Sequence, residues 1–325
     1  MKKLIFMWVA FVSTISLHAQ TVARKVIVEH FTNSRCGICA NRNPALYTNL
    51  ANNPNVLHIA YHPSSPYSTC VFSQHNPIEN DARTNFYGVY GSTPKIAIQG
   101  SVQSASTNYA SSTLFTPFQN HTSTIQLAIN QTITNNELNV SVLVTNLSET
   151  SLTNPRIFVA LAEEPIFYNA PNGENTHHDV FRKALTPANG VAFELPPVGT
   201  SVTQTFSTAI NSAWDVNKLE AFAIIQNADT KEVLQVEKAN TITSPVSETY
   251  SEGLTIFPNP TSDKINISTT DNLLEGIITI IDIQGKQVAT YPYSERIDIA
   301  HLPKGNYLLR IAHKNKTAQQ QFVKQ

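Results

Sequence analysis

The sequence predicts a multidomain protein, an α/β domain followed by two all-β domains. Three observations carry that prediction. An apolar strand, a helix and a second apolar strand follow one another between residues 25 and 61. From residue 125 the apolar residues recur at every second position, as in half-buried strands. Beyond a polar stretch at 241–253, short alternating strands with turn residues between them reach the end of the chain. At 325 residues the chain is also too long for one ordinary core.

Charged residues make up 14% of the chain, well below the roughly 25% of typical usage, and Asn, Ser and Thr supply the polar surface. The 22 basic residues balance 23 acidic ones without a basic stripe, which argues against nucleic acid as a partner. Lys2 and Lys3 precede an apolar run from Leu4 to Leu17, and Leu17-His18-Ala19 ends on a small residue. That is the pattern of a cleaved secretory signal over residues 1–19. The run falls short of the ~20 residues a membrane-spanning helix needs. Export puts Cys36, Cys39 and Cys70 in an oxidising compartment, where a disulfide persists. Cys36 and Cys39 are the obvious pair, which leaves Cys70 over.

The first domain is expected over residues 20–120. Lys25 to Phe31 reads as a central strand, and a helix from about Cys36 to Leu50 carries Pro44 in its interior. Val56 to Tyr61 is a second buried strand, so the two strands and helix form a βαβ unit with a parallel pair. His62 to Asn76 is loop-like. A helix from about Pro77 to Tyr87 comes next, then Gly91-Ser-Thr93-Pro94 and the strand Lys95–Ile98. The Ser-, Thr- and Asn-rich segment from Ser101 to about Thr124 is expected to hold a last helix and a connection.

The chemistry sits at Cys36-Gly37-Ile38-Cys39. A thiol at a helix N-terminus faces backbone N–H groups and the helix dipole, which lower its pKa and make it a nucleophile. Two intervening residues place both sulfurs on the first turn, close enough to bond. The strand into Cys36–Cys39, Pro44 eight residues after Cys36, and Thr93-Pro94 before a late strand together resemble a thioredoxin-like domain. The resemblance implies a cis Thr93–Pro94 bond facing the two cysteines. It also implies thiol–disulfide exchange, with Cys36 as the exposed attacking thiol, Cys39 resolving and Pro94 holding the substrate backbone. Arg35 stands where the family usually has Trp and would stabilise the thiolate. The family's buried acid corresponds to Glu29, or by strict count to His30. Cys70 has three open readings: a free buried thiol, a second resolving cysteine, or a metal ligand with His62 or His75. No cofactor or metal is assigned.

The middle domain, over 121–240, is expected to be an antiparallel sandwich of immunoglobulin or fibronectin type. Its strands lie at 125–129, 138–144, 156–162, 202–206, 219–226 and 232–238. Phe167 to Lys183 is a long excursion in which His177, His178 and Asp179 read as a polar loop in preference to a metal site, since no fourth ligand is suitably spaced. A thioredoxin-like domain followed by a sandwich with this His-His-Asp stretch is similar to a family of outer-membrane-associated proteins of Gram-negative bacteria.

The linker at 241–253 leads to a second small sandwich of about seven strands, 254–325. Phe257-Pro258-Asn259-Pro260, Asp282 with Gly285, and Leu302, Gly305 and Tyr307 resemble the C-terminal sorting domain of the type IX (Por) secretion system. That resemblance implies the type IX machinery as a partner, passage across both membranes, and surface attachment or release. Two functional readings remain. One is an exported oxidoreductase acting on extracellular protein disulfides. The other is a surface binding or adhesion protein in which Cys36–Cys39 is a structural disulfide.

Overall fold

The computed structural model describes residues 20–134, 136–149, 152–239, 249–250, 254–269, 276–282, 287–313 and 316–325. The expected signal at 1–19, and the linker apart from residues 249 and 250, lie outside the described residues. The chain divides into two compact units, Met1–Ile242 and Thr243–Gln325.

One long sheet organises the first unit. From one edge its strands are Val233–Lys238, Leu219–Asn227, Pro155–Glu163, Val180–Ala184, Val56–Tyr61, Val26–Phe31, Lys95–Ile98 and Ser101–Val102. Val26–Phe31 and Val56–Tyr61 pair in parallel because helix α1 (Gly37–Ala51) returns the chain across one face. Both strands are buried at every position and read as largely apolar runs, interrupted only by Glu29 and His30 in the first and His58 in the second. The expected border near residue 120 falls inside this unit. Val180 pairs in parallel with Ala60, so the Val180–Ala184 strand joins the α/β half and the sandwich half in one sheet.

Strand alternation then sorts the core into faces. On one face Ile27, Phe31, Tyr61, Phe158, Phe181 and Phe222 form a continuous core, closed by Tyr87 and Val89. On the other face α1 covers Val26 and Val28 through Leu46. Beside it the antiparallel sheet of Ser201–Ala209, Glu137–Asn146 and Ile125–Thr134 covers Ile157, Val159 and Leu161. This is the sandwich that the two-residue period predicts.

Two connections differ from expectation. The 62–76 loop contains a short helix, α2 (Val71–His75), ahead of α3 (Pro77–Phe86). Residues 101–124 form short strands, turns and a 3-10 turn at Thr116–Phe118 in place of the expected helix. Their polar side chains accept from nearby backbone N–H groups: Ser104 Oγ from Ser106, Asn108 Oδ1 from Ala110. Such local bonds compete with helix formation.

The second unit packs a five-stranded against a three-stranded sheet over Ile265, Ile278, Ile280, Leu309, Ile311 and Phe322. From Thr255 onward it has the expected seven strands among the described residues. Asn259 ties down the terminal strand: its Oδ1 accepts from Val323 N at 2.9 Å and its Nδ2 donates to Gln321 O at 3.1 Å. Asp282 pairs in register with Tyr307, whose ring stacks on Phe322 and whose hydroxyl donates to Pro303 O at 2.8 Å. Gly305 opens the Gly305–His313 strand, Pro258 and Pro260 follow cis bonds, and Gly285 lies outside the described residues.

Candidate functional site

Cys36 is the N-cap of α1 and forms a disulfide with Cys39, with their Cα atoms 5.1 Å apart. The helix begins here because the extended Cys36 backbone turns the chain and its sulfur accepts from Cys39 N–H at 3.0 Å. That N–H and the helix dipole supply partial positive charge at Cys36 Sγ. Thr93 O lies 3.8 Å from the same sulfur, and the Thr93–Pro94 bond is cis. The structure therefore brings Cys36, Cys39 and the Thr93–Pro94 turn together.

Other expected residues are placed differently. In place of the exposed thiol expected at position 36, Cys36 is 1% exposed and Cys39 0%. Part of the cover comes from the sandwich half. Asn172 donates through its side chain to Cys36 O at 3.2 Å and Asn33 O at 3.3 Å, and its backbone N–H donates to Ser34 O at 3.3 Å. Glu174 accepts from Asn43, on the inner face of α1, at 2.8 Å. Arg35 is exposed and its Nε donates to Thr69 O at 2.8 Å, which holds it against the loop before Cys70. Cys70 is a free, buried thiol whose sulfur lies 3.1 Å from Ser34 Oγ. It packs with Phe72 and Val180, in agreement with the first of its three readings.

Glu29 and His30 point to opposite faces of the sheet, as neighbours on a strand must. Glu29 faces away from α1. There Arg83 donates to it through Nε at 2.7 Å and Nη2 at 2.9 Å, and Tyr87 donates its hydroxyl to the same carboxylate. Burial alone would lower the Arg83 pKa; Glu29 outweighs it and holds Arg83 above the ordinary guanidinium value. Glu29 thus secures α3 from the face of the sheet opposite α1. His30 lies on the α1 face, edge-on to Tyr47 and Tyr109 at 6.2 and 6.4 Å. Burial, with His58 and His62 beside it, holds its pKa well below the ordinary imidazole range.

Sequence reasoning overlooked His58, Asn172 and Glu174. A signal for His58 was present: each of the two parallel strands carries one His in a largely apolar run. Their register, with Val28 opposite His58 and His30 opposite Ala60, brings the two rings together. Asn172 and Glu174 carried no comparable signal.

The two units can be placed among known proteins. Residues 255–325 match the secretion system C-terminal sorting domain, which makes the chain a type IX cargo at the outer-membrane surface of, or secreted by, a Gram-negative bacterium. Residues 80–244, about half of the chain, match the outer membrane protein Omp28 family, and the chain belongs to that family. The match runs from α3 through the last strand of the long sheet and so spans both halves of the first unit. HBP35 of Porphyromonas gingivalis has a similar fold, with a TM-score of 0.57 at 13% identity over 93% of this chain and 98% of that one. A domain of the outer membrane lipoprotein Omp28 from the same organism aligns with a TM-score of 0.28 at 15% identity, over 37% of this chain and 88% of that one. No curated protein matches the chain.

Proposed function

We propose that this type IX cargo carries a thioredoxin-like module at 20–120 that performs thiol–disulfide exchange on extracellular proteins. In this reading 121–240 is the sandwich, 241–253 a linker and 254–325 the sorting domain. The observation that supports exchange is the position of the disulfide. Cys36 Sγ sits at the N-cap of α1, accepts an N–H and has the Thr93 carbonyl beside it. Once the pair is reduced, the Cys36 thiolate attacks a substrate disulfide and one substrate sulfur leaves as thiolate. Cys39 then attacks Cys36 Sγ, the mixed disulfide breaks and the second substrate thiolate departs. The substrate is reduced and the pair returns to the disulfide. Pro94 and Thr93 border the place where the substrate chain would lie.

A second reading has its own observation. Both sulfurs are buried beneath contacts from Asn172, as a structural disulfide in a surface binding protein would be. The reduction potential of the full mature chain separates the two readings. A catalytic pair should fall between roughly −120 and −270 mV and a structural one below roughly −300 mV. Turnover of a model disulfide that survives Cys36→Ala would end the exchange reading.

A further inference from the structure

At the end of the α/β half away from the disulfide lies a cavity of about 390 Å³. Val26 and Val56, the first residues of the two parallel strands, form part of its wall, whereas Cys36 lies beyond the other end of the first strand. The polar lining is Arg24, Lys25, Asn55, Gln119, Asn120 and His121, and no carboxylate among the described residues lines the cavity. The exchange reading makes no use of this place.

Arg24 is the informative residue. Its side chain is 14% exposed, its backbone N–H donates to His121 O at 2.9 Å, and its Nη1 donates to Glu232 Oε1 at 2.9 Å. Its Nε is buried and has no partner among the described residues, and Nη2 makes no hydrogen bond to them either. Buried donors are rarely left unpaired. Nε and Nη2 form one edge of the guanidinium, and their N–H groups point the same way, which suits two oxygens of a single oxyanion. Arg83 shows that edge in use: its Nε and Nη2 hold the two Glu29 carboxylate oxygens at 2.7 and 2.9 Å. At Arg24 no protein oxygen among the described residues meets it.

The neighbouring groups suit the same kind of ligand. Lys25 Nζ gives one N–H to Glu237 Oε1 at 2.6 Å and keeps two. His121 Nε2 lies 3.2 Å from Pro117 O, a pure acceptor, so Nε2 carries a proton and Nδ1 stays available. Glu232 and Glu237, which pair with the two cations, stand outside the lining. The Glu232 side chain is 56% exposed, so water weakens its hold on Arg24.

We propose that this cavity binds a small polar acid, a molecule of monosaccharide size that carries a carboxylate or a phosphate. The oxyanion takes Arg24 Nε and Nη2 as a bidentate pair, with Lys25 as the second positive group. The hydroxyl-bearing body lies along the amides of Asn55, Gln119 and Asn120, each of which both donates and accepts. The volume falls within the range of small-molecule sites and exceeds what a bare inorganic ion fills.

The test is isothermal titration calorimetry on the full mature chain, with glucuronate, glucose 6-phosphate and glucose as probes. Both acids should bind and glucose should not, and the tighter acid tells a carboxylate ligand from a phosphate one. Arg24→Gln should weaken that acid roughly tenfold or more. Arg24→Lys keeps the charge but loses the fork, and should weaken it nearly as much. Glu232→Gln removes the competing carboxylate and should tighten binding roughly two- to fivefold, a gain that a damaged fold would not produce. Failure of both acids to bind at millimolar concentration overturns the proposal. Glucose binding as tightly as the acids does so too, as does an unchanged affinity in a folded Arg24→Gln chain. No readout here involves the disulfide, so the exchange reading stands or falls separately.

Discussion

Replacing Asn172 by alanine tests whether the segment from the sandwich half controls access to the disulfide. Alanine keeps the backbone bond to Ser34 O and loses the side-chain bonds that tie the segment to the cysteine turn, to Asn33 O at 3.3 Å and Cys36 O at 3.2 Å; the other bonds it loses, to Glu174 Oε2 at 2.6 Å and from Glu174 N at 3.2 Å, lie within the segment itself. The first two distances lie at or just past the long end of the N–H···O range, so each bond is weighted at about 0.5–1 kcal/mol, or about 1–2 kcal/mol for the two. Glu174 keeps its own bond to Asn43, so the rest of the segment stays anchored. Local opening becomes easier by that amount, and the open population should rise roughly 5- to 30-fold. With the sulfurs 1% and 0% exposed, a small phosphine reductant reaches them through that open population. The assay is the rate at which reduction releases alkylatable thiols, with the urea midpoint as a control for the fold. A folded Asn172→Ala chain that is reduced no faster than its parent would refute the argument.

Acidification should destabilise the first unit. His30 and His62 are held below the usual imidazole range by burial, so the unfolded chain binds more protons as pH falls through about 6.5. His178 opposes this, because its hydrogen bond to Glu164 raises its pKa and its contribution fades as pH rises. His75 and His177, also lowered by burial, add to the first side, so with four lowered imidazoles against one raised one urea midpoints should drop from pH 7.5 to pH 5; a midpoint that rises would contradict the burial assignment. Arg83→Ala leaves the Glu29 carboxylate buried without its cation and should cost about 3–5 kcal/mol in denaturant titration. A cost under about 1 kcal/mol would mean that Glu29 finds another counter-charge. A chain ending at Ile242 should keep the cooperative melt of the first unit and fail to reach the cell surface, as read by surface proteolysis; surface display of that fragment would remove the sorting role from 254–325.

Much of the secondary structure was legible because burial leaves a plain trace in composition. Val26–Phe31 and Val56–Tyr61 are buried at every position and read as largely apolar runs; Glu137–Asn146 alternates and reads as a half-buried strand. Cys36 at a helix start and Thr93-Pro94 before a strand were likewise visible as local motifs. What was not legible is set by pairing between distant segments. Nothing in the composition of Val180–Ala184 says that it bridges Ala60 and Ala162, yet this strand carries the sheet across the expected boundary. The exposure of Cys36 was misjudged for the same reason. A helix N-terminus is open in isolation, and part of the cover over this one comes from a segment 136 residues later in the chain.

The long sheet makes the candidate site a joint product of two halves that sequence reasoning held apart. Val180 pairs with Ala60, and the residue before it, Asp179, thereby reaches His58 from the neighbouring strand. The connection between the Pro155–Glu163 and Val180–Ala184 strands also supplies Asn172 over the disulfide and Glu174 against α1. The Cys36–Cys39 turn needs none of these contacts to form its bond, since α1 and its N-cap suffice for that. The contacts instead decide whether the sulfurs meet solvent. Asn172 and Glu174, which help to close the site, come from one long connection, and behind α1 His30, His58 and Asp179 form a hydrogen-bonded row that again joins the two halves.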